Sequence, residues 1–289
     1  MFLRNGDKNS AVKQLQELLT SKGFDTNGID GWFGDDTEKA VKAFQRAKGL
    51  DDDGVVGEDT WRALGTEFQP APNEAQVHWA KAPADRYMDG YDGFTLREDV
   101  VAAYQPVYSA VKAAGGIIPS SGGKRELSAS VGAGRSKTSF HYTGRALDVM
   151  IQSAMSDPRT DPLVAVQDTN ETNPFWRVFV RADGGERMTL TGMVWKNNSP
   201  STRAVTGTFI DLTALFAEAG FDRIRARNNW RRSYINTEWW HFQYTGGLVV
   251  DQSTFGDELL KVYDRATVQR YPPWGFRNYV FKGQYFGQR

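Results

Sequence analysis

The chain has 289 residues, enough for two domains and a sizeable core, and its 35 Lys plus Arg balance 35 Asp plus Glu. That balance gives no basic excess that would point to nucleic acid or to an acidic membrane surface. Cysteine is absent, which excludes disulfides and thiolate metal sites and leaves imidazole and carboxylate as the ligands for any metal.

Residues 1–65 contain an internal repeat. Asp30-Gly31-Trp32-Phe33-Gly34-Asp35-Asp36-Thr37 returns as Asp53-Gly54-Val55-Val56-Gly57-Glu58-Asp59-Thr60. Each copy is a Gly-bearing turn running into an acidic helix start, as the N-terminal dipole prefers. Val12, Leu15 and Leu19 form one helical face and Ala40, Val41 and Phe44 another, so three helices are predicted at about 9–22, 35–48 and 58–64. With Ala43-Phe44-Gln45-Arg46 and Thr60-Trp61-Arg62-Ala63-Leu64, the repeat resembles the peptidoglycan-binding domain found at the ends of many cell-wall hydrolases. The resemblance implies a glycan and peptide-stem groove near the first Gly turn and the second helix. Trp32 and Phe33 are expected in the core of this bundle.

Residues 66–76, TEFQPAPNEAQ, are polar and proline-bearing and are predicted to be a linker. His78 follows beside Trp79, a position that suits packing or surface better than metal ligation. A helix is expected from a Thr95 cap through Leu96, Val100, Tyr104, Val107 and Val111 to Gly115-Gly116, with a bend at Pro106. Ile117-Ile118 then opens a strand with Arg125 at its far end. After a Gly- and Ser-rich loop, Ala146, Asp148 and Met150 alternate with Leu147, Val149 and Ile151, which turns Asp148 away from its apolar neighbours.

Residues 152–174 read as a surface insertion. Residues 176–180 and 188–195 read as two paired strands joined by an Asp183-Gly184-Gly185 turn. A short helix is expected from Asp211 to Ala219, and a strand from Trp239 to Tyr244. The tail from Asp257 begins as a helix and ends in an aromatic run, Tyr271 to Phe286, expected to wrap the domain. No apolar run approaches membrane-spanning length.

Chemistry concentrates in two short runs. Of three histidines, His141 lies in Ser139-Phe140-His141-Tyr142-Thr143-Gly144-Arg145-Ala146-Leu147-Asp148 and His241 in Glu238-Trp239-Trp240-His241. Two imidazoles and a carboxylate fit catalytic zinc, which keeps a fourth position open and brings the pKa of water to about 7. Glu238 is then the proton acceptor.

Written as S-x-H-x-x-G-x-A-x-D followed by E-x-W-H, these runs resemble the signature of the zinc D-alanyl-D-alanine carboxypeptidases and peptidoglycan endopeptidases of the hedgehog/DD-peptidase superfamily. The resemblance implies His141, Asp148 and His241 as ligands of Zn2+ and Glu238 as catalytic base. It also implies a substrate-holding arginine before a Val131-Gly132-Ala133-Gly134 loop; Arg125 fits that place and Arg135 is its rival. Ser139 is expected to bond substrate or brace the loop, and Trp240 to line the substrate side or pack behind the metal. A regular strand would put Glu238 and His241 on opposite faces, so Glu238 is expected at an irregular strand start.

The expected fold class is α+β. A small all-α three-helix peptidoglycan-binding domain, 1–65, and the linker, 66–76, precede a catalytic domain, 77–289, with a mainly antiparallel sheet and flanking helices. The expected partner is peptidoglycan, with no nucleic acid and no membrane span, and the protein is expected to be a monomer acting at the cell wall, outside the cell or in the periplasm. Met1-Phe2-Leu3-Arg4 turns polar at once and does not read as a signal peptide, which suits a phage-type endolysin, a delivered enzyme or a mature form. Both a carboxypeptidase and an endopeptidase fit the pattern. Two rivals are a wall-binding protein with an inactive peptidase fold and a non-haem iron oxygenase, which also uses two His and a carboxylate. The spacing of His141 and Asp148 and the presence of Glu238 favour the peptidase.

Overall fold

The structure, a computed structural model, describes residues 3–8, 10–65, 77–129, 136–249, 253–264, 267–268 and 270–271. The chain divides into two units, Met1–Ala75 and Gln76–Arg289. The linker at 66–76, Arg135 with its glycine loop, and the aromatic tail beyond Tyr271 lie outside the described residues.

The first unit holds α1 (Ser10–Ser21), α2 (Asp35–Ala47) and α3 (Glu58–Leu64). Val12, Leu15 and Leu19 from α1 and Val41 and Phe44 from α2 are wholly buried with Phe33 and Val56 between them. Two glutamines close the two repeats in the same way. Gln16 Nε2 donates to Asp30 Oδ1, the Trp32 carbonyl and Thr37 Oγ1, while its Oε1 accepts from Gly31 N–H at 2.8 Å. Gln45 Nε2 donates to Asp53 Oδ1, the Val55 carbonyl and Thr60 Oγ1, and its Oε1 accepts from Gly54 N–H at 3.0 Å. Each side-chain amide thus satisfies a whole turn from inside, where unmade hydrogen bonds are expensive. Phe33 is core as expected, but Trp32 is not: it is 51% exposed, with Lys8 Nζ 4.5 Å from its ring. The turn explains the difference, because Asp30 and Gln16 hold the Trp32 backbone inward and Phe33 takes the inward side-chain position.

The second unit is built on three antiparallel sheets. A hairpin pairs β1 (Trp79–Pro83) with β2 (Gly93–Arg97). A four-stranded sheet has the order β3-β4-β9-β8, formed by Ser120–Gly122, Ala146–Val149, His241–Tyr244 and Phe221–Arg223. A third sheet runs β5-β6-β7, formed by Leu163–Gln167, Trp176–Lys196 and Ser199–Asp211. Against them lie α4 (Glu98–Ala113), α5 (Leu212–Glu218) and α6 (Phe255–Leu260). In α4, Val100, Tyr104, Val107 and Val111 recur at helical spacing and are buried. Tyr104 stacks near Phe216, and Phe216 stacks at 4.3 Å on Phe242 of β9, so one face of the four-stranded sheet is the main core. Among the described residues no helix is long and apolar enough to cross a membrane.

Several expectations change. Thr95 does not cap α4; it and Leu96 extend β2, and the helix starts at Glu98 after Arg97, with Glu98 and Asp99 in the first turn. The strand expected at Ile117-Ile118 begins at Ser120 and ends at Gly122, so Arg125 lies three residues beyond it. The region 152–174 is not all surface: Leu163, Val164 and Ala165 are wholly buried in β5. The two strands predicted at 176–180 and 188–195 are one strand, β6. Arg181 and Glu186 both pair with Phe209, so Asp183-Gly184-Gly185 is an excursion within β6 and not a hairpin turn. Gly184 N–H donates to the Ala114 carbonyl, and a Cβ on Gly185 would come within 2.5 Å of the Phe209 carbonyl oxygen. The hairpin turn comes later, at Asn197-Asn198, both at positive φ as a two-residue β-turn requires.

Candidate metal centre

The four-stranded sheet brings the two motif runs together. Asp148 on β4 pairs with His241 on β9, and neighbouring paired residues share a face. Leu147 and Phe242 pair on the opposite face and go into the core. On its other side Asp148 pairs with Gly122, whose φ of +116° belongs to a region that side chains on L-residues rarely adopt. His141 enters from the tight turn before β4, where Gly144 N–H donates to the His141 carbonyl and Arg145 N–H to the Phe140 carbonyl.

His141, Asp148 and His241 each offer a donor atom, and these atoms lie within 4.8 Å of one another. His141 Nε2 is 3.2 Å from His241 Nδ1 and 3.2 Å from Asp148 Oδ2; His241 Nδ1 is 3.0 Å from Asp148 Oδ1. The remaining ring nitrogen of His141, Nδ1, sits 2.6 Å from the Gly123 carbonyl. A carbonyl accepts only, so Nδ1 carries the proton and Nε2 presents its lone pair to the cluster, the arrangement a metal-binding imidazole needs. Gln243, two residues along β9, lies on the same face and is buried. Two nitrogens and a carboxylate oxygen, oriented from outside in this way, fit Zn2+.

Glu238 completes the group. It is 7% exposed with φ +56°, outside β9, and its carbonyl accepts from His241 N–H. Its unusual backbone is pinned on both sides: Trp176 Nε1 donates to the Thr237 carbonyl, and Trp239 Nε1 donates to Tyr234 Oη. This is the irregular strand start expected for Glu238. Burial raises the Glu238 carboxyl pKa, and the opposing charges of His241 and Arg227 do not cancel the rise. For Asp148 burial acts in the same sense, yet the facing His141 and His241 outweigh it and hold the carboxyl below the ordinary range. Burial lowers the His241 pKa, but the bond to Asp148 and its charge reverse this, so the net direction is upward. The two neighbouring carboxylates are therefore pushed in opposite directions, Asp148 down and Glu238 up.

The other predicted residues lie around this group. Arg125 N–H donates to the His141 carbonyl at 3.0 Å, and its guanidinium lies over the Tyr142 ring at 5.4 Å. Ser139 Oγ accepts from His141 N–H at 3.5 Å. Trp240 is buried in the core between Trp239 and Tyr234 and is closed to substrate. His78 is exposed and lies outside the donor group; its carbonyl accepts from Glu98 N–H. The sequence reading passes over Gln243 and Arg227. Period-two alternation from His241 points to Gln243, whereas nothing distinguishes Arg227 among the arginines of Arg223 to Arg232.

Residues 8–64 match a family model described as a putative peptidoglycan binding domain. The chain is 45% identical over 65 residues to N-acetylmuramoyl-L-alanine amidase CwlL of Bacillus licheniformis, covering 20% of this chain and 18% of that protein. It is 39% identical over 79 residues to a probable N-acetylmuramoyl-L-alanine amidase of the same organism, covering 27% and 22%. The chain thus spans about a fifth of the length of these curated relatives. A solved structure of a fused Zn-dependent amidase, peptidase and peptidoglycan-binding protein from Clostridium acetobutylicum is 15% identical, covering 76% of this chain and 87% of that one, with a TM-score of 0.22. The chain therefore carries a peptidoglycan-binding type of module at its N-terminus, and its second unit is a mixed α+β fold with antiparallel sheets.

Proposed function

We propose that the protein is a zinc-dependent peptidoglycan hydrolase: the first unit holds the wall, and the second, a hedgehog/DD-peptidase-like domain, cuts amide bonds in the peptide stems as a carboxypeptidase or endopeptidase. The observation that carries this reading is the convergence of the His141, Asp148 and His241 donor atoms beside a buried Glu238. His141 through Nε2, Asp148 through a carboxylate oxygen and His241 through Nδ1 are the residues that would hold zinc. Zinc bound there supplies Lewis-acid polarisation of an amide carbonyl and makes water acidic enough to lose a proton near neutral pH.

The chain's own residues do the rest. Glu238 takes the proton from the attacking water and returns it to the leaving amine, so one amide and one water become a carboxylic acid and an amine. Its raised pKa brings donor and acceptor strengths closer for both transfers. The Gly123 carbonyl fixes the His141 imidazole, and Trp239 with Trp240 close the site from behind. Arg125 positions substrate from the turn beside His141.

The test is hydrolysis of purified peptidoglycan with zinc under anaerobic conditions, with fragments identified by mass, for wild type and Glu238→Gln. New amino groups or free D-Ala are expected from the wild type, with a loss of about 10²–10⁴-fold in the variant and zinc retained. Equal rates would remove Glu238 as the base. Absence of cutting on walls of several chemotypes would leave a wall-binding protein, and a requirement for ferrous iron and oxygen would point to an oxygenase.

A further inference from the structure

Arg227 stands at the start of the segment that delivers Glu238. Its N–H donates to the Asn236 carbonyl at 2.8 Å, and Asn236 Nδ2 donates to the Asn228 carbonyl at 3.1 Å. Between these bonds the chain makes two short 3-10 turns, Trp230–Arg232 and Tyr234–Asn236, and comes back on itself. Trp230 is buried against Trp176 and anchors the excursion. The return places Arg227 Nε 2.5 Å from Glu238 Oε1.

The Arg227 side chain is 37% exposed, against 9% for Glu238. A guanidinium has five N–H donors in a planar fork, and the contact with Glu238 is made through Nε. Arg97 and Arg145 are engaged elsewhere, sharing Glu258. Among the described residues Arg227 is the one basic side chain in an ion pair with Glu238.

Resting on the peptidase reading, we propose that Arg227 binds a carboxylate of the peptide stem through the Nη edge of its guanidinium, while Nε keeps Glu238 in place. It is a specificity-determining residue that selects an amide bond lying beside a free carboxylate. Two stem groups have that chemistry, the C-terminal D-Ala carboxylate and the α-carboxylate of the γ-linked D-Glu. Recognition of the first selects trimming at the stem end, and recognition of the second selects cutting inside the stem.

Three synthetic stem pentapeptides separate these sources: one with both groups free, one with a C-terminal carboxamide and one with D-isoglutamine in place of D-Glu. For the zinc-loaded full chain, kcat/KM is expected to fall roughly tenfold to a hundredfold for the one amide that masks the recognised group, as expected for a lost charge-assisted hydrogen bond. In Arg227→Gln every rate should fall with the loss of the contact to Glu238, but the ratio of the free peptide's rate to this amide's should collapse to about one; Arg227→Lys should keep part of the preference. The same ordering is expected in dissociation constants measured calorimetrically on Glu238→Gln and lost in Glu238→Gln/Arg227→Gln. Equal slowing of all three peptides by Arg227→Gln would make Arg227 a mere support for Glu238 and overturn the proposal, as would a wild type indifferent to both amides. If the wild type cuts none of the three, the peptidase reading fails and takes this inference with it.

Discussion

Two buried polar clusters lie at opposite ends of the same short run, Arg145 to Asp148, and they are built to opposite purposes. At the Arg145 end, Glu258 of α6 accepts at Oε2 from Arg97 Nη1 and from Arg145 Nε, both at 2.6 Å, and at Oε1 from Lys261 Nζ at 3.0 Å. Arg97 also pairs with Asp99, and Arg145 Nη1 donates to the Tyr244 and Gly246 carbonyls. Three cations meet two carboxylates, and every carboxylate oxygen of Glu258 is occupied. At the Asp148 end, two carboxylates and two imidazoles meet one cation, Arg227, and the lone pairs of the donors point at one another. A cluster whose cations outnumber and saturate its carboxylates is a clasp. A cluster with excess donors and too little positive charge suits a cation, and that contrast marks the candidate metal centre more sharply than burial, which the two share.

The largest expected effect separates the two ends by metal content. Asp148→Ala removes one of three donors, so zinc measured by elemental analysis should fall well below equimolar, with hydrolysis falling alongside, while the fold persists. His141→Ala and His241→Ala should behave alike. Glu258→Ala should do the reverse. Removing the shared acceptor leaves Arg97 and Arg145 buried with their charges uncompensated, at a cost of about 3–5 kcal/mol, read as a lower denaturation midpoint with zinc per folded chain unchanged. If Glu258→Ala lost zinc in parallel with Asp148→Ala, the clusters would be one functional unit and the contrast would fail.

The clasp also carries a pH dependence. Burial raises the Glu258 pKa, but Arg145, Lys261 and Arg97 outweigh it and the net direction is down. A carboxyl depressed in the folded state adds stability that is fully present above its unfolded value, about 4.3, and is lost as pH falls through the folded one. Acid titration of wild type should therefore show a loss of stability below about pH 4.3 that is smaller in Glu258→Gln. Parallel acid limbs in the two proteins would assign the loss to other carboxyls.

What the sequence discloses follows the same physics. Asp148 and His241 were legible because both sit in short strands where period two decides the face, and His141 because its turn has a fixed spacing to Asp148. The helices of the first unit were legible because Val12, Leu15, Leu19, Val41 and Phe44 recur at helical spacing. The long β6 was not, since Asp183-Gly184-Gly185 has the composition of a turn while the chain runs through it, held by Ala114 and Phe209. Its partner β7 was passed over because an edge strand with one wetted face, Ser199-Pro200-Ser201-Thr202-Arg203, lacks an apolar alternation. Arg227 was hidden for another reason: its place comes from a return of the chain, eleven residues later, to Glu238. The clasp was equally silent, as Arg97 and Glu258 are 161 residues apart.

The first unit supplies the mildest test of the comparison, because its polar clusters are uncharged at their centres. Gln16 and Gln45 make corresponding hydrogen bonds to corresponding atoms of the two repeats, so neither has the unbalanced charge of the metal centre nor the charge of the clasp. Gln45→Leu fills similar space but strands Gly54 N–H and the Val55 carbonyl, which should cost about 1–3 kcal/mol in the unfolding of this unit. Gln16→Leu should cost a similar amount through Gly31 and the carbonyl of Trp32. The two differ in what lies outside: the Gln16 turn carries the exposed Trp32, whereas the Gln45 turn carries Val55. If the wall is gripped at the first turn, Gln16→Leu should weaken co-sedimentation of the full chain with purified sacculi more than Gln45→Leu does at equal stability loss, and neither should change hydrolysis of a soluble stem peptide. Equal weakening by both would place the grip on the bundle as a whole and not on the turn that presents Trp32.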